Sequence, residues 1–117
     1  MKNPLKDKSF AFALRMIKLY QYFIENKIEY ILSKQLLRSG TSIGANIRES
    51  QNAQSNADFI HKLSISQKEC DETMYWLELL FKSNYLTEAE FNSIYADACE
   101  LLKMLKSAII TSKNKGK

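Results

Sequence analysis

The sequence predicts an all-α fold, an antiparallel up-down-up-down four-helix bundle, and three observations carry that expectation. Apolar residues recur at steps of three and four through four separate segments; the 117 residues hold only three glycines and one proline; and no segment alternates polar with apolar residues between turn signals. Links of a few residues between the segments make sequential helices antiparallel neighbours. At 13.6 kDa the chain, residues 1–117, suits a single domain with its own core.

The first helix is expected at about 9–26, where Phe10, Leu14, Ile17, Gln21 and Ile24 follow alternating steps of four and three. Phe12, Met16, Tyr20 and Phe23 widen that stripe, which predicts a helix buried on more than one side. The second, at about 30–51, contains "RSGTSIGANIRES". At 100° per residue, Leu32, Leu36, Ile43 and Ile47 share a face with Ser33, Gly40 and Gly44 beside them, while Lys34, Arg38, Thr41, Ser42, Ala45 and Glu49 cluster opposite. The pattern keeps its phase through both glycines, so the stretch reads as one unbroken helix. Each glycine costs about 1 kcal/mol relative to alanine in a helix interior, so a gain from close packing or an interface is expected at Gly40 and Gly44.

The third helix, at about 57–83, carries Leu63, Gln67, Cys70, Met74, Leu77 and Phe81 at four-three spacing, with Asn and Ser residues suited to capping before it. Trp76 in "MYWLELLF" is expected in the core or an interface rather than as a stacking platform for bases. The fourth, at about 88–112, opens on the capping box "TEAE", Thr87 to Glu90, and continues through Phe91, Ile94, Ala98, Leu101, Leu105 and Ala108, flanked by Tyr95, Leu102 and Ile109. The terminal "KNKGK" is expected to fray.

Hydrophobic residues at 45% and charged residues at 26% match a folded chain rather than a disordered one. No apolar run approaches the roughly 18 residues of a bilayer span, and Lys2, Lys6 and Lys8 precede no apolar signal core. A cytoplasmic protein without a membrane partner is the expectation, with Cys70 and Cys99 as reduced thiols. The net charge of +4 is unevenly spread: nine cations and three acids up to residue 48, three and ten from 49 to 100, five and none thereafter. Such a chain either buries oppositely charged surfaces against each other, leaving a basic face for a polyanion, or simply solvates its helix faces.

Familiar chemistries do not fit. Gly40-x-x-x-Gly44 lacks the spacing and the following lysine of a phosphate-binding loop. A di-iron site in a helical bundle needs two Glu-x-x-His pairs, whereas the one histidine, His61, has Asp58 three residues before it. The Arg-to-His spacing of some small helical ribonucleases would put an arginine at 54–56, where Gln, Ser and Asn stand. Neither cysteine has a recognisable histidine partner. The acids Glu69, Asp71, Glu72 and Glu78 read as a solvated or interfacial face. No catalytic, metal or cofactor residues are assigned, and the chain is not expected to be an enzyme.

Taken together, "KSFAFALRMIKLY" (8–20), "LSKQLLRSGTSIGANIRES" (32–50) and "DFIHKLSISQKECDETMYWLELL" (58–80) resemble the bacterial 23S rRNA intervening sequence protein family. The resemblance spans nearly the whole chain, and the Arg-Ser-Gly-x-Ser-Ile-x-Ala-Asn-x-x-Glu and Tyr-Trp-Leu runs are specific to it. It implies a four-helix bundle assembled as a ring-shaped homopentamer, with no defined activity. A related group serves the reverse transcriptases of diversity-generating retroelements, where basic pentamers bind nucleic acid and the polymerase. Carried to this chain, that implies a basic surface of Arg15, Lys18, Lys34, Arg38 and Arg48, with RNA or DNA and a reverse transcriptase as partners. Two functional expectations follow: a weak, sequence-nonspecific nucleic-acid adaptor, or an interaction scaffold whose charged faces are consumed by subunit contacts.

Overall fold

The first helix begins before its apolar pattern does, because a cap and a proline start it. In the computed structural model, which describes residues 3–116, the Asn3 side chain accepts from the Lys6 N–H at 3.1 Å and Pro4 takes the first helical position. Proline fits there since its missing N–H has no helical partner to lose. Helix α1 therefore spans Pro4–Tyr22, and Phe23–Lys27 extend it by one π-helical turn, closed by the Ile28 N–H on the Phe23 carbonyl at 2.9 Å.

Helix α2, Ile31–Ser50, has no side-chain cap from Tyr30. The Glu29 carboxylate replaces it, accepting from the N–H groups of Ile31, Leu32 and Ser33 at 2.7–3.1 Å. A carboxylate there also complements the positive end of the helix dipole. Helix α3, Asn56–Lys82, starts where the Ser55 hydroxyl accepts from the Asp58 N–H at 3.0 Å. It ends in a left-handed residue, Asn84 at φ 70°, with the Tyr85 N–H on Leu80 O and the Asn84 N–H on Phe81 O, the bonding pattern of a Schellman stop. The predicted capping box opens helix α4, Glu88–Lys115: Thr87 Oγ1 accepts from the Glu90 N–H at 3.1 Å and Glu90 from the Thr87 N–H at 2.8 Å. The helix continues to Lys115, three residues beyond its expected end.

Contacts between helices run in opposite order along each pair. Asn3 meets Gln51 and Ser9 lies against Gly44 across α1–α2. Lys62 meets Glu49, Ser66 meets Ile43 and Thr73 meets Ser39 across α2–α3. Asn56 bonds Ser112 O and Tyr95 bonds Glu78 across α3–α4, while Lys8 pairs with Glu100 and Arg15 with Asp97 across α1–α4. All four neighbouring pairs are thus antiparallel, around one cluster that includes Phe12, Met16, Phe23, Ile43, Ile47, Leu77, Leu101 and Leu105. Small polar residues inside it are satisfied: Ser66 donates to Ile43 O at 2.8 Å, and Thr73 bonds Glu69 O at 2.8 Å and the Ser39 hydroxyl at 2.9 Å.

The expected burial of α1 on several sides is corrected. Its inward stripe is Ser9, Phe12, Met16 and Phe23, whereas Phe10, Leu14 and Ile17 are exposed. The two stripes are centred about 140° apart around the helix, and α2 covers only the first, leaving the second on the rim of the seam between them. On α2 the glycine strip meets α1: a Cβ at Gly40 would stand 2.5 Å from Met16 Cγ, and one at Gly44 would stand 3.3 Å from Ser9 O.

Ile28 joins α1 to α2 at φ 53°, a left-handed conformation that a β-branched side chain adopts at a cost of about 1–2 kcal/mol. Its side chain is 72% exposed, so no packing offsets the strain within the protomer. Ile28→Asn is expected to raise stability by about 1 kcal/mol and the melting temperature by about 3–5 °C, measured by thermal and chemical denaturation. An unchanged or lower midpoint would mean that the loop is held by something other than its backbone.

Candidate interaction surface

The five basic residues assigned from the resemblance fall into two groups. Arg15 and Arg38 are engaged inside the protomer. Arg15 donates to Asp97 Oδ2 at 2.7 Å and to the Ser93 hydroxyl at 2.6 Å, tying α1 to α4. Arg38 spans one turn of α3, donating to Glu69 at 3.2 Å and to Glu72. Its pKa is raised above the ordinary arginine value, first by the hydrogen bond to Glu72. Lys18, Lys34 and Arg48 are exposed and form no ion pair among the described residues.

Arg48 leads to an apolar surface. Its guanidinium lies 5.9 Å from the centre of the Phe10 ring, at one end of a groove of about 440 Å³ between α1 and α2. Phe10, Ala13, Leu14 and Ile17 line it from α1, and Thr41, Gly44, Ala45 and Arg48 from α2, with Lys6 and Glu49 at its mouth. The glycine strip gives the groove its depth, because Gly44 presents only backbone there. A wider cleft of about 600 Å³ opens along the α1–α4 seam past Leu5, Phe59, Leu63 and Met104. Those side chains are buried or half-buried against the core, whereas the α1–α2 groove leaves its large apolar residues in water. The groove is therefore the stronger candidate for an unpartnered surface.

Trp76 is half-buried on the flank of the core, its Nε1–H donating to Glu72 at 3.3 Å and its ring 5.2 Å from that of Tyr75 at a steep angle. It thereby steadies Glu72, one of the two acids that hold Arg38. Cys70 and Cys99 are free thiols. Burial, helped by the charge of Asp71, pushes Cys70 up to about 12, and its thiol donates to Ala98 O at 3.3 Å. His61 is exposed on α3. Among the described residues, no three His, Cys, Asp or Glu side chains group to hold a metal ion, and no helix is long and apolar enough to cross a membrane.

Sequence reasoning missed the groove, and it expected opposite charges to pair without placing the partners. The signal for the groove is an apolar stripe on α1 too wide for a single neighbouring helix to cover. The acids that take up Arg15 and Arg38 lie 82, 31 and 34 residues away along the chain, where no local pattern reports them.

Comparison with known proteins fits this architecture. The family model for the 23S rRNA-intervening sequence protein matches residues 1–107. A crystal structure of a protein of unknown function from the S23 ribosomal protein family of Bacteroides thetaiotaomicron is 53% identical, covering 90% of this chain and 97% of that one with a TM-score of 0.89. None of the curated proteins matches. With the antiparallel four-helix arrangement, the family match over nearly the full length and the close structural likeness all in agreement, this chain belongs to the 23S rRNA-intervening sequence protein family.

Proposed function

We propose that this protein is a non-enzymatic, self-assembling four-helix scaffold whose subunits join through the outer face of α1 and α2. One observation carries the reading: Phe10, Leu14 and Ile17 stand in line, 52%, 48% and 40% exposed, along an apolar groove. Isolated exposed apolar residues are ordinary, but a contiguous stripe beside a groove marks an interaction site. Covering the three side chains contributes roughly 1 kcal/mol each, a useful gain once repeated around an assembly. The family resemblance supports a ring of five copies. Burial keeps the Cys70 thiol protonated at neutral pH, which makes that one side chain a poor nucleophile.

A second reading, weak binding of RNA or DNA phosphates, is favoured by α4. Lys103, Lys106 and Lys113 are exposed within an arc of about 80° on that helix and make no ion pair among the described residues. No acid follows Glu100 in the sequence. Lys18, Lys34 and Arg48 add cations elsewhere, while Arg15 and Arg38 would have to give up their carboxylates to take part. A ring multiplies such weak sites, and a basic ring would suit a polymerase partner working on nucleic acid.

Sedimentation velocity tests the first reading. Wild-type protein is expected to run as a multiple of 13.6 kDa at about 10 μM. Leu14→Glu with Ile17→Glu is expected to run as a 13.6 kDa monomer of unchanged helical circular dichroism. Monomeric wild-type protein at that concentration refutes the proposal.

For the second reading, affinity for duplex DNA should fall about 40-fold between 50 and 200 mM salt if about three phosphates are contacted. Replacing Lys103, Lys106 and Lys113 together by glutamate should abolish it. No binding at about 50 mM salt, or binding indifferent to salt, counts against nucleic acid as a ligand.

A further inference from the structure

We propose that the α1–α2 groove of one protomer receives the outer face of α3 of a second copy, centred on Tyr75 between Asp71 and Glu78. This rests on the self-assembly reading and names the surface that the groove takes. Asp71, Tyr75 and Glu78 lie at four-three spacing on α3, and all three are exposed. Tyr75 is the large hydrophobic residue left open on α3, 55% exposed, with its ring set against the edge of Trp76. An aromatic side chain held in this way suits an apolar groove with a polar rim, since the ring can be buried while the hydroxyl reaches the edge.

Charge points to the same pairing. The groove is bordered by Lys6 and Arg48, with Lys34 farther along α2 on the same side, and none of these three forms an ion pair among the described residues. Its own carboxylate, Glu49, is 3.7 Å from Lys62. The α3 face offers acids on either side of Tyr75: Asp71 has no cation partner among the described residues, and Glu78 accepts only from the Tyr95 hydroxyl. Lys68 and Lys82 lie one turn beyond these acids and leave the centre of the face negative. Pairing groove with groove about a two-fold axis parallel to the groove would set Lys6 and Arg48 against the same cations, a repulsion that the α3 face avoids.

Topology excludes self-satisfaction. Helix α3 packs between α2 and α4, so its outer face and the groove lie on different sides of one protomer. Each copy then presents one groove and one ridge, a head-to-tail contact that closes into a ring where the rotation permits.

Two variants test the pairing by complementation. The groove variant carries Leu14→Glu and Arg48→Glu; the ridge variant carries Asp71→Lys, Tyr75→Ala and Glu78→Lys. All five positions are exposed, and circular dichroism confirms folding before use. Each alone is expected to sediment as a 13.6 kDa monomer, and a 1:1 mixture to form a heterodimer of twice that mass and nothing larger, because one intact groove meets one intact ridge. Tyr75→Glu alone, the milder ridge change, is expected to weaken wild-type assembly at least tenfold. A ridge variant that assembles like wild type, or a mixture that yields no heterodimer, overturns the α3 pairing while self-assembly stands. Wild-type protein that is itself monomeric overturns the reading on which the pairing rests.

Discussion

Close approach of α1 to α2 at Gly40 is the constraint on which the rest of the molecule depends. With no side chain at Gly40, Met16 fills the space that a Cβ would occupy, and with none at Gly44 the backbone of Ser9 settles against the helix. That contact turns Ser9, Phe12, Met16 and Phe23 inward. A helix cannot bury two stripes about 140° apart against one neighbour, so Phe10, Leu14 and Ile17 are left outside. One small residue thus links the core to the groove. The intrinsic penalty of glycine in a helix is offset by the buried contact it allows.

Charge is arranged around the same geometry. Lys8–Glu100 and Arg15–Asp97 tie α1 to α4, while Arg38 with Glu69 and Glu72, and Lys62 with Glu49, tie α2 to α3. Exposed pairs of this kind contribute little stability, about 0–1 kcal/mol each. Their larger effect is on what remains: two arginines that the sequence offers to an anion are occupied, while Lys6 and Arg48 beside the groove and Lys103, Lys106 and Lys113 on α4 stay unpaired among the described residues. The uneven charge along the chain therefore serves contacts inside the protomer first and leaves a smaller, more localised basic surface.

The four helices, the Thr87 capping box and the tight glycine strip were legible in the sequence because each rests on local periodicity or on residues a few positions apart. The start of α1 was not, since "NPLKDK" carries little apolar signal and its helix depends on the Asn3 cap and Pro4. The inward face of α1 was ambiguous for a physical reason: apolar residues occupy both sides, and periodicity does not say which side meets a neighbour. Ile28 in a left-handed conformation could not be anticipated, because glycine or asparagine is the residue that such a position ordinarily signals. The basic residues could be named from sequence, but their availability depends on Asp97, Glu69 and Glu72, which only the folded chain brings near.

The most direct measurement is the sign of the stability change for Gly40→Ala in chemical denaturation. Helix propensity alone makes alanine more stable by about 1 kcal/mol. The contact with Met16 makes it less stable by about 1–3 kcal/mol, because a buried side chain must move to admit the methyl group. The two act together, so a net loss of up to about 2 kcal/mol supports the close approach as the organising constraint. A gain of about 1 kcal/mol would contradict it.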